Sequence, residues 1–181
     1  MAKERLNKNF FSRDTKILAE ELLGKILVRK INGKTLRAKI VETEAYFDEK
    51  DPASWARFGK KNYNNVMWGF PGIILIKNVH KYKMFNIVSG RENKAEAVLI
   101  RALEPLNFKA RLSGPGLLTE SLFIDKRFHG KNVFSLKDLF IEEDKDLNKF
   151  EINESFRIGV TKDLPEKLRF YIKGNKHVSR K

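Results

Sequence analysis

Two carboxylates and an aromatic hydroxyl stand at every second position in Ile40-Val41-Glu42-Thr43-Glu44-Ala45-Tyr46. In an extended strand alternate side chains point to opposite sides, so Glu42, Glu44 and Tyr46 share one face. Counting back, Leu36, Ala38 and Ile40 hold the same parity, while Thr35, Arg37 and Lys39 hold the other. The alternation therefore predicts that both acids arrive on the apolar face. A carboxylate there is costly unless it is paired or put to use. Burial and a like-charged neighbour raise its pKa, which suits a general base working near neutral pH. The spacing fits equally well a pair of buried ion-pair partners for Arg or Lys, with no chemistry of their own.

The rest of the composition narrows what that chemistry can be. The 181 residues include no Cys and only three His, at positions 80, 129 and 177. Disulfides and thiolate metal sites are therefore excluded, and the His spacing suggests no metal cluster. Catalysis would fall to carboxylates or to a metal held by oxygen ligands; no cofactor is expected. Lys and Arg number 37 against 23 Asp and Glu, a formal net charge of +14. On a chain that is 41% hydrophobic with 14 Phe, this is a folded basic domain, and its expected partner is a polyanion, nucleic acid before a membrane surface. No apolar run approaches the roughly 20 residues of a spanning helix, and the N-terminus has no signal-peptide pattern. An intracellular, monomeric protein is expected.

The elements that must position these residues can be read in order. One domain over residues 1–181 is expected, with a loose basic start at 1–9. Leu18 with Leu22 and Ala19 with Leu23 give a helix from about Asp14, capped by Ser12 or Asp14 and stopped at Gly24. Asn32-Gly33 predicts a tight hairpin turn between strands 25–31 and 34–46. Asp51-Pro52 could open a short helix to Arg57. A second hairpin, 73–77 with 82–88, carries Asn78-Val79-His80-Lys81 at its tip, flanked by Lys77, Tyr82 and Lys83. Such a tip suits insertion into a nucleic-acid groove; it also fits an ordinary solvated turn. Residues 97–103 read as a buried strand in which Arg101 needs an acid partner, Glu44 or Glu42. Ser113-Gly114-Pro115-Gly116 opens a helix over 117–123 and is either an anion site or a turn. Further strands are expected near 132–136, 139–142, 155–161 and 168–173.

Several of these stretches, taken together and in order, resemble the alkyladenine (3-methyladenine) DNA glycosylase family. They are Glu42 to Tyr46, Ala97 to Pro105, Ser113 to Gly116, Arg157-Ile158-Gly159-Val160, and Leu168 to Tyr171 with Val178-Ser179. The similarity runs from about Asp14 to Ser179. It implies an α+β fold: a single compact domain with a curved, mainly antiparallel sheet flanked by helices and a protruding DNA-inserting hairpin. It also implies a monofunctional enzyme that flips a damaged purine out of double-stranded DNA, without a membrane or metal. By position, Glu44 would activate water against the sugar C1′, with Arg101 holding Glu44 and that water. Tyr46 would stack on the flipped base, and Asn86 would lie at the pocket floor. His80, Lys81, Tyr82, Lys83, Gly114 and Gly116 would face the DNA.

The chain departs from the family pattern at the pocket wall. Trp55 stands where a His is usual, Lys77 where a second stacking tyrosine is usual, and His80 where the intercalating tyrosine falls. The hairpin is one residue shorter, so Tyr82 could take the intercalating role by a register change. Leu117 replaces a lysine, and the helical segment before Gly114 is mostly absent. Two other functions fit the same residues: a metal-dependent nuclease using Glu42, Glu44 and Asp48 or Asp51, and a DNA-binding protein without catalysis.

Overall fold

Asn32 and Gly33 both take positive φ, 49° and 71°, and close the turn between β1 (Ile26–Ile31) and β2 (Lys34–Tyr46). This is the backbone that matches strand twist in a two-residue hairpin, and it pairs Ile31 with Lys34. The computed structural model describes residues 4–144 and 149–180. β2 is the central strand of an antiparallel sheet. Its first half pairs β1, its second half pairs β8 (Arg169–Ile172), and its other edge pairs β5 (Ala97–Pro105) along most of its length. Outward from β5 lie β4 (Tyr82–Val88) and β3 (Ile74–Val79); β6 (Leu139–Glu142) flanks β1, and β7 (Ile152–Ser155) flanks β8. The sheet is curved and carries few helices, an α+β arrangement. None of the helices is long and apolar enough to cross a membrane, among the described residues.

Helix α2 (Thr15–Glu21) starts at Asp14, whose carboxylate accepts from the N–H groups of Lys16 and Ile17. It covers one face of the sheet, where Leu18 and Leu22 are fully buried with Ile76, Phe85, Ile87, Val98 and Ile100. The helix α1 (Lys8–Phe11), capped by the Asn7 side chain, joins this core through Phe10 and Phe11. The expected loose start is therefore corrected for residues 5–9. Leu6 is buried and its N–H donates to the Ile141 carbonyl, and Arg5 lies over the Phe140 ring. Residues 1–3 lie outside the described residues.

The parity argument holds as far as Ile40 and then inverts. Register shifts in the β2–β5 pairing fall between Ile40 and Thr43, where a bulge adds a residue and turns the following side chains over. Ile40 and Val41 both enter the α2-side core, and the Thr43 hydroxyl donates to the Ala19 carbonyl of α2. Glu42, Glu44 and Tyr46 thus occupy the opposite face, not the face of Ala38 and Ile40. Arg101 shares that opposite face with Leu99, whereas Val98 and Ile100 enter the core.

Other expectations are corrected locally. Residues 52–58 form turns, not a helix, even though the Asp51 carboxylate accepts from the Ala53 N–H as a helix cap would. The helix α3 begins at Pro115 and runs to Ser121. Residues 132–136 contribute one bridge, Asn132 to Ile73, and no strand. The strand expected at 155–161 ends at Ser155, and the chain beyond it turns toward the exposed face of the sheet.

Candidate active site

The face of the sheet opposite α2 forms the floor of a cavity of about 780 Å³, within the range that holds small-molecule ligands. Four neighbouring strands supply its floor: Lys77 from β3, Asn86 from β4, Arg101 from β5 and Tyr46 from β2. Two irregular segments form its walls, one carrying Trp55 and the other Ile158 to Lys162. Five residues singled out in the sequence, Tyr46, Trp55, Lys77, Asn86 and Arg101, are thus brought to one site.

Glu44 lies directly behind this lining and is fully buried. Its Oε2 accepts from the Tyr46 hydroxyl at 2.8 Å, and its Oε1 accepts from the Ile158 N–H at 2.8 Å. Arg101 reaches both oxygens at 3.5 Å. Burial raises the Glu44 carboxyl above the usual glutamate value; Arg101, the Ile158 N–H and the Tyr46 hydroxyl oppose the rise, and Glu42 adds slightly to it. Burial, with Glu44 next to it, also pushes the Tyr46 phenol well above its ordinary range. Tyr46 therefore stays a neutral donor to the carboxylate.

Glu42 has a different position, although it is equally buried. Its oxygens accept from Arg169 Nε at 2.6 Å, Ser179 N at 2.6 Å and Ser179 Oγ at 2.9 Å. It fastens β8 and the C-terminal segment to β2. The expected acid partner of Arg101 is in fact both carboxylates: its Nε stands 3.3 Å from Glu42 and 3.5 Å from Glu44. These are ion-pair contacts, since Nε makes no aligned hydrogen bond.

A second buried network sets the walls. Arg157 donates to both oxygens of Asp51, at 2.6 and 2.7 Å, and also to Asp163 and the Ala45 carbonyl. Its guanidinium lies 4.5 Å from the centre of the Tyr46 ring. Asp51 in turn accepts from Phe47 N and Ala53 N. One arginine thereby ties the Trp55 wall, the Ile158 wall and Tyr46 together. Arg157, Asp51 and the Ile158 N–H carry no pattern that marks these roles in the sequence; Arg157-Ile158 enters the family resemblance and Asp51 reads as a cap, and neither signal pairs the two residues.

These commitments contradict the metal-dependent nuclease. Glu42 is taken by Arg169 and Ser179, Asp51 by Arg157, and Asp48 accepts from Lys50 N. No cluster of three or more His, Cys, Asp or Glu gathers to hold an ion among the described residues.

The second hairpin stands beside the cavity. Val79 pairs with Tyr82, leaving His80 and Lys81 as the turn, with His80 at φ 51°. His80 and Lys81 are exposed and Lys83 is half-buried. Tyr82 is 41% exposed, yet its ring rests on the first turn of α3. A Cβ on Gly116 would meet that ring at 2.6 Å, so close packing accounts for glycine at 116. Gly114 lies extended at the start of a helix whose first residue, Pro115, has no N–H to offer.

The methylpurine-DNA glycosylase (MPG) family model matches residues 9–176. A protein of Clostridium beijerinckii named "Putative 3-methyladenine DNA glycosylase" is 42% identical, covering 97% of this chain and 99% of its own. Proteins of the same name from Carboxydothermus hydrogenoformans and Clostridium perfringens (strain SM101) are 41% and 38% identical, covering 97% and 98% of this chain and 99% and 100% of their own. The alignments extend over 192 to 206 positions, so the relatives carry residues with no counterpart here.

Proposed function

The chain belongs to the methylpurine-DNA glycosylase family and is a DNA N-glycosylase, and from that premise we propose how its site works. A damaged purine nucleotide, alkylated or deaminated, is extruded from double-stranded DNA into the 780 Å³ cavity. Unstacking costs a few kcal/mol and is cheapest for mispaired or damaged bases. Tyr46 and Trp55 supply aromatic surfaces for the base, and Asn86 meets its edge from β4. His80, Lys81 and Lys83 approach the duplex, and the net charge of +14 supplies phosphate contacts.

Glu44 takes a proton from a water whose oxygen attacks C1′ of the sugar. The N-glycosidic bond breaks, its electron pair leaves with the purine, and the products are free base and an abasic site. The observation that carries this reading is the setting of Glu44. A carboxylate with a raised pKa, held by Tyr46, Ile158 and Arg101, stands immediately behind a cavity roomy enough for a flipped nucleotide, whereas Glu42 is consumed by structure. Arg101 orients Glu44 and, with the Ile158 N–H, keeps it ionised enough to act as a base. The protein works as a monomer inside the cell, without a cofactor.

The test is product analysis in EDTA. Duplexes carrying alkylated, deaminated or normal purines should release free base only from the damaged strand. Strand cleavage without base release, or release that needs an added divalent ion, would refute the reading.

A further inference from the structure

The charge of the cavity is one-sided. Its lining includes Arg57, Lys77, Arg101 and Lys162, and no Asp or Glu lines it among the described residues. Arg101 is answered by Glu42 and Glu44 from behind. Arg57 and Lys162 are exposed to solvent. Lys77 is neither: half-buried on β3, its ammonium stands 5.4 Å from the Trp55 ring centre and has no carboxylate partner among the described residues. Burial and the neighbouring Arg57 lower its pKa, which marks a charge that a bound group could relieve.

Asn86 complements it. The Asn86 side-chain nitrogen donates to the carbonyls of Leu75 and Met84, at 3.3 and 3.1 Å, which leaves the amide oxygen as the group offered to the cavity. Lys77 and Asn86 sit on paired strands, with Leu75 opposite Asn86 and Met84 opposite Lys77. The floor therefore presents a cationic donor and a neutral acceptor side by side. A purine with a carbonyl at C6 and an N–H at N1 presents the matching acceptor and donor. A purine with a fixed positive charge meets a cation that has no carboxylate counter-charge among the described residues, in a partly desolvated site where like charges repel more strongly than in water.

We propose that Lys77, paired with the acceptor oxygen of Asn86, makes this site select neutral or anionic 6-oxopurines, the products of purine deamination, over purines that carry a fixed positive charge. The inference rests on the glycosylase reading above and narrows its substrate class. Undamaged guanine shares the C6 carbonyl but is held in the helix by its pairing, whereas a deaminated base is mispaired and flips at lower cost.

The test compares single-turnover release of hypoxanthine, xanthine and 7-methylguanine from otherwise identical duplexes, each divided by its spontaneous rate of loss. Hypoxanthine and 7-methylguanine share the C6 carbonyl and differ in charge. Wild type should accelerate loss of hypoxanthine or xanthine at least about tenfold more than loss of 7-methylguanine. Lys77→Met should shrink that ratio about tenfold or more, chiefly by improving the cationic substrate, and Lys77→Arg should keep it. A wild-type preference for 7-methylguanine, or an unchanged ratio in Lys77→Met, overturns the proposal and leaves the glycosylase reading standing. Release of no base from any duplex overturns both. If Lys77→Met does not fold, Lys77→Gln replaces it, with the same two outcomes.

Discussion

The Tyr46 hydroxyl donates to Glu44 Oε2 at 2.8 Å, from two residues further along the same strand. The contact exists because the bulge near Val41 turns both side chains away from the α2-side core. It couples the aromatic surface of the cavity to the carboxylate behind it.

This coupling predicts a pH dependence. Glu44 must be ionised to accept a proton, and burial raises its pKa above the ordinary 4.5. Base release should therefore fall off in acid with a midpoint above 4.5. Tyr46→Phe keeps the ring but removes a donor that favours the ionised form, so its acid midpoint should move higher still. The single-turnover pH profile of the two proteins decides this; a midpoint at or below 4.5, or no shift in Tyr46→Phe, would contradict it.

The same burial makes a stability prediction. A carboxyl raised in the folded state binds its proton more tightly there than in the unfolded chain, so stability falls as pH rises from 4.5 through the folded pKa. Glu44→Gln escapes this term, and Glu42 remains 3.3 Å from Arg101 to partner it. The variant should be more stable than wild type near pH 7, with the advantage shrinking as pH falls toward 4.5. Urea denaturation at several pH values measures this.

Arg157 and Asp51 are both fully buried and joined by two hydrogen bonds. Removing one member strands the other, which costs about 3–5 kcal/mol. Asp51→Ala should lose about that much stability in denaturant unfolding, less whatever Asp163 recovers. Burial acts to raise the Asp51 carboxyl, but the Arg157 hydrogen bonds and the N–H groups of Phe47 and Ala53 hold it below 3.8. Its contribution is therefore present above pH 3.8 and lost as pH falls through the depressed folded value. A loss below 1 kcal/mol would show that the wall does not depend on this pair.

At the hairpin, Tyr82 is seated on Gly116 while His80 leads the turn. His80→Ala should thus reduce the flipping signal of a fluorescent base more than Tyr82→Ala does. If Tyr82→Ala has the larger effect, the register change considered from the sequence is correct. If neither changes the signal, the tip is an ordinary turn.

The central strand pair and the second hairpin are legible in the sequence because hairpin turns and period-2 patterns are local signals; of the cavity residues, Tyr46 and Arg101 follow from parity, while Trp55, Lys77 and Asn86 follow from the family resemblance by position. The sequence hid what depends on contacts distant along the chain. The bulge after Ile40 breaks the parity that the alternation assumes, so the acids were expected on the wrong face though correctly as buried. Asp51 reads as a helix cap and does accept from the Ala53 N–H, but no helix follows it, and its partner Arg157 lies 106 residues away. Ile158 contributes a backbone N–H, which no side-chain pattern can announce. Glu42 and Glu44 share residue type and parity, and the resemblance alone singles out Glu44; the arrival of Arg169 and Ser179 on Glu42 separates the settings of the two.

That separation gives the most direct measurement, single-turnover base release from a damaged duplex by wild type, Glu44→Gln and Glu42→Gln, compared per folded molecule. Glu44→Gln keeps the shape of the side chain and one acceptor oxygen for the Ile158 N–H, turns the other end into a donor toward the Tyr46 hydroxyl, and cannot accept the proton of water. Its rate should drop at least about 10²-fold, the scale of losing a positioned general base, with DNA affinity intact. Glu42→Gln should lose stability through its bonds to Arg169 and Ser179 and release base at a rate well above that of Glu44→Gln. Equal losses from the two variants, or a Glu44→Gln protein as fast as wild type, would contradict the assignment of Glu44 as the base.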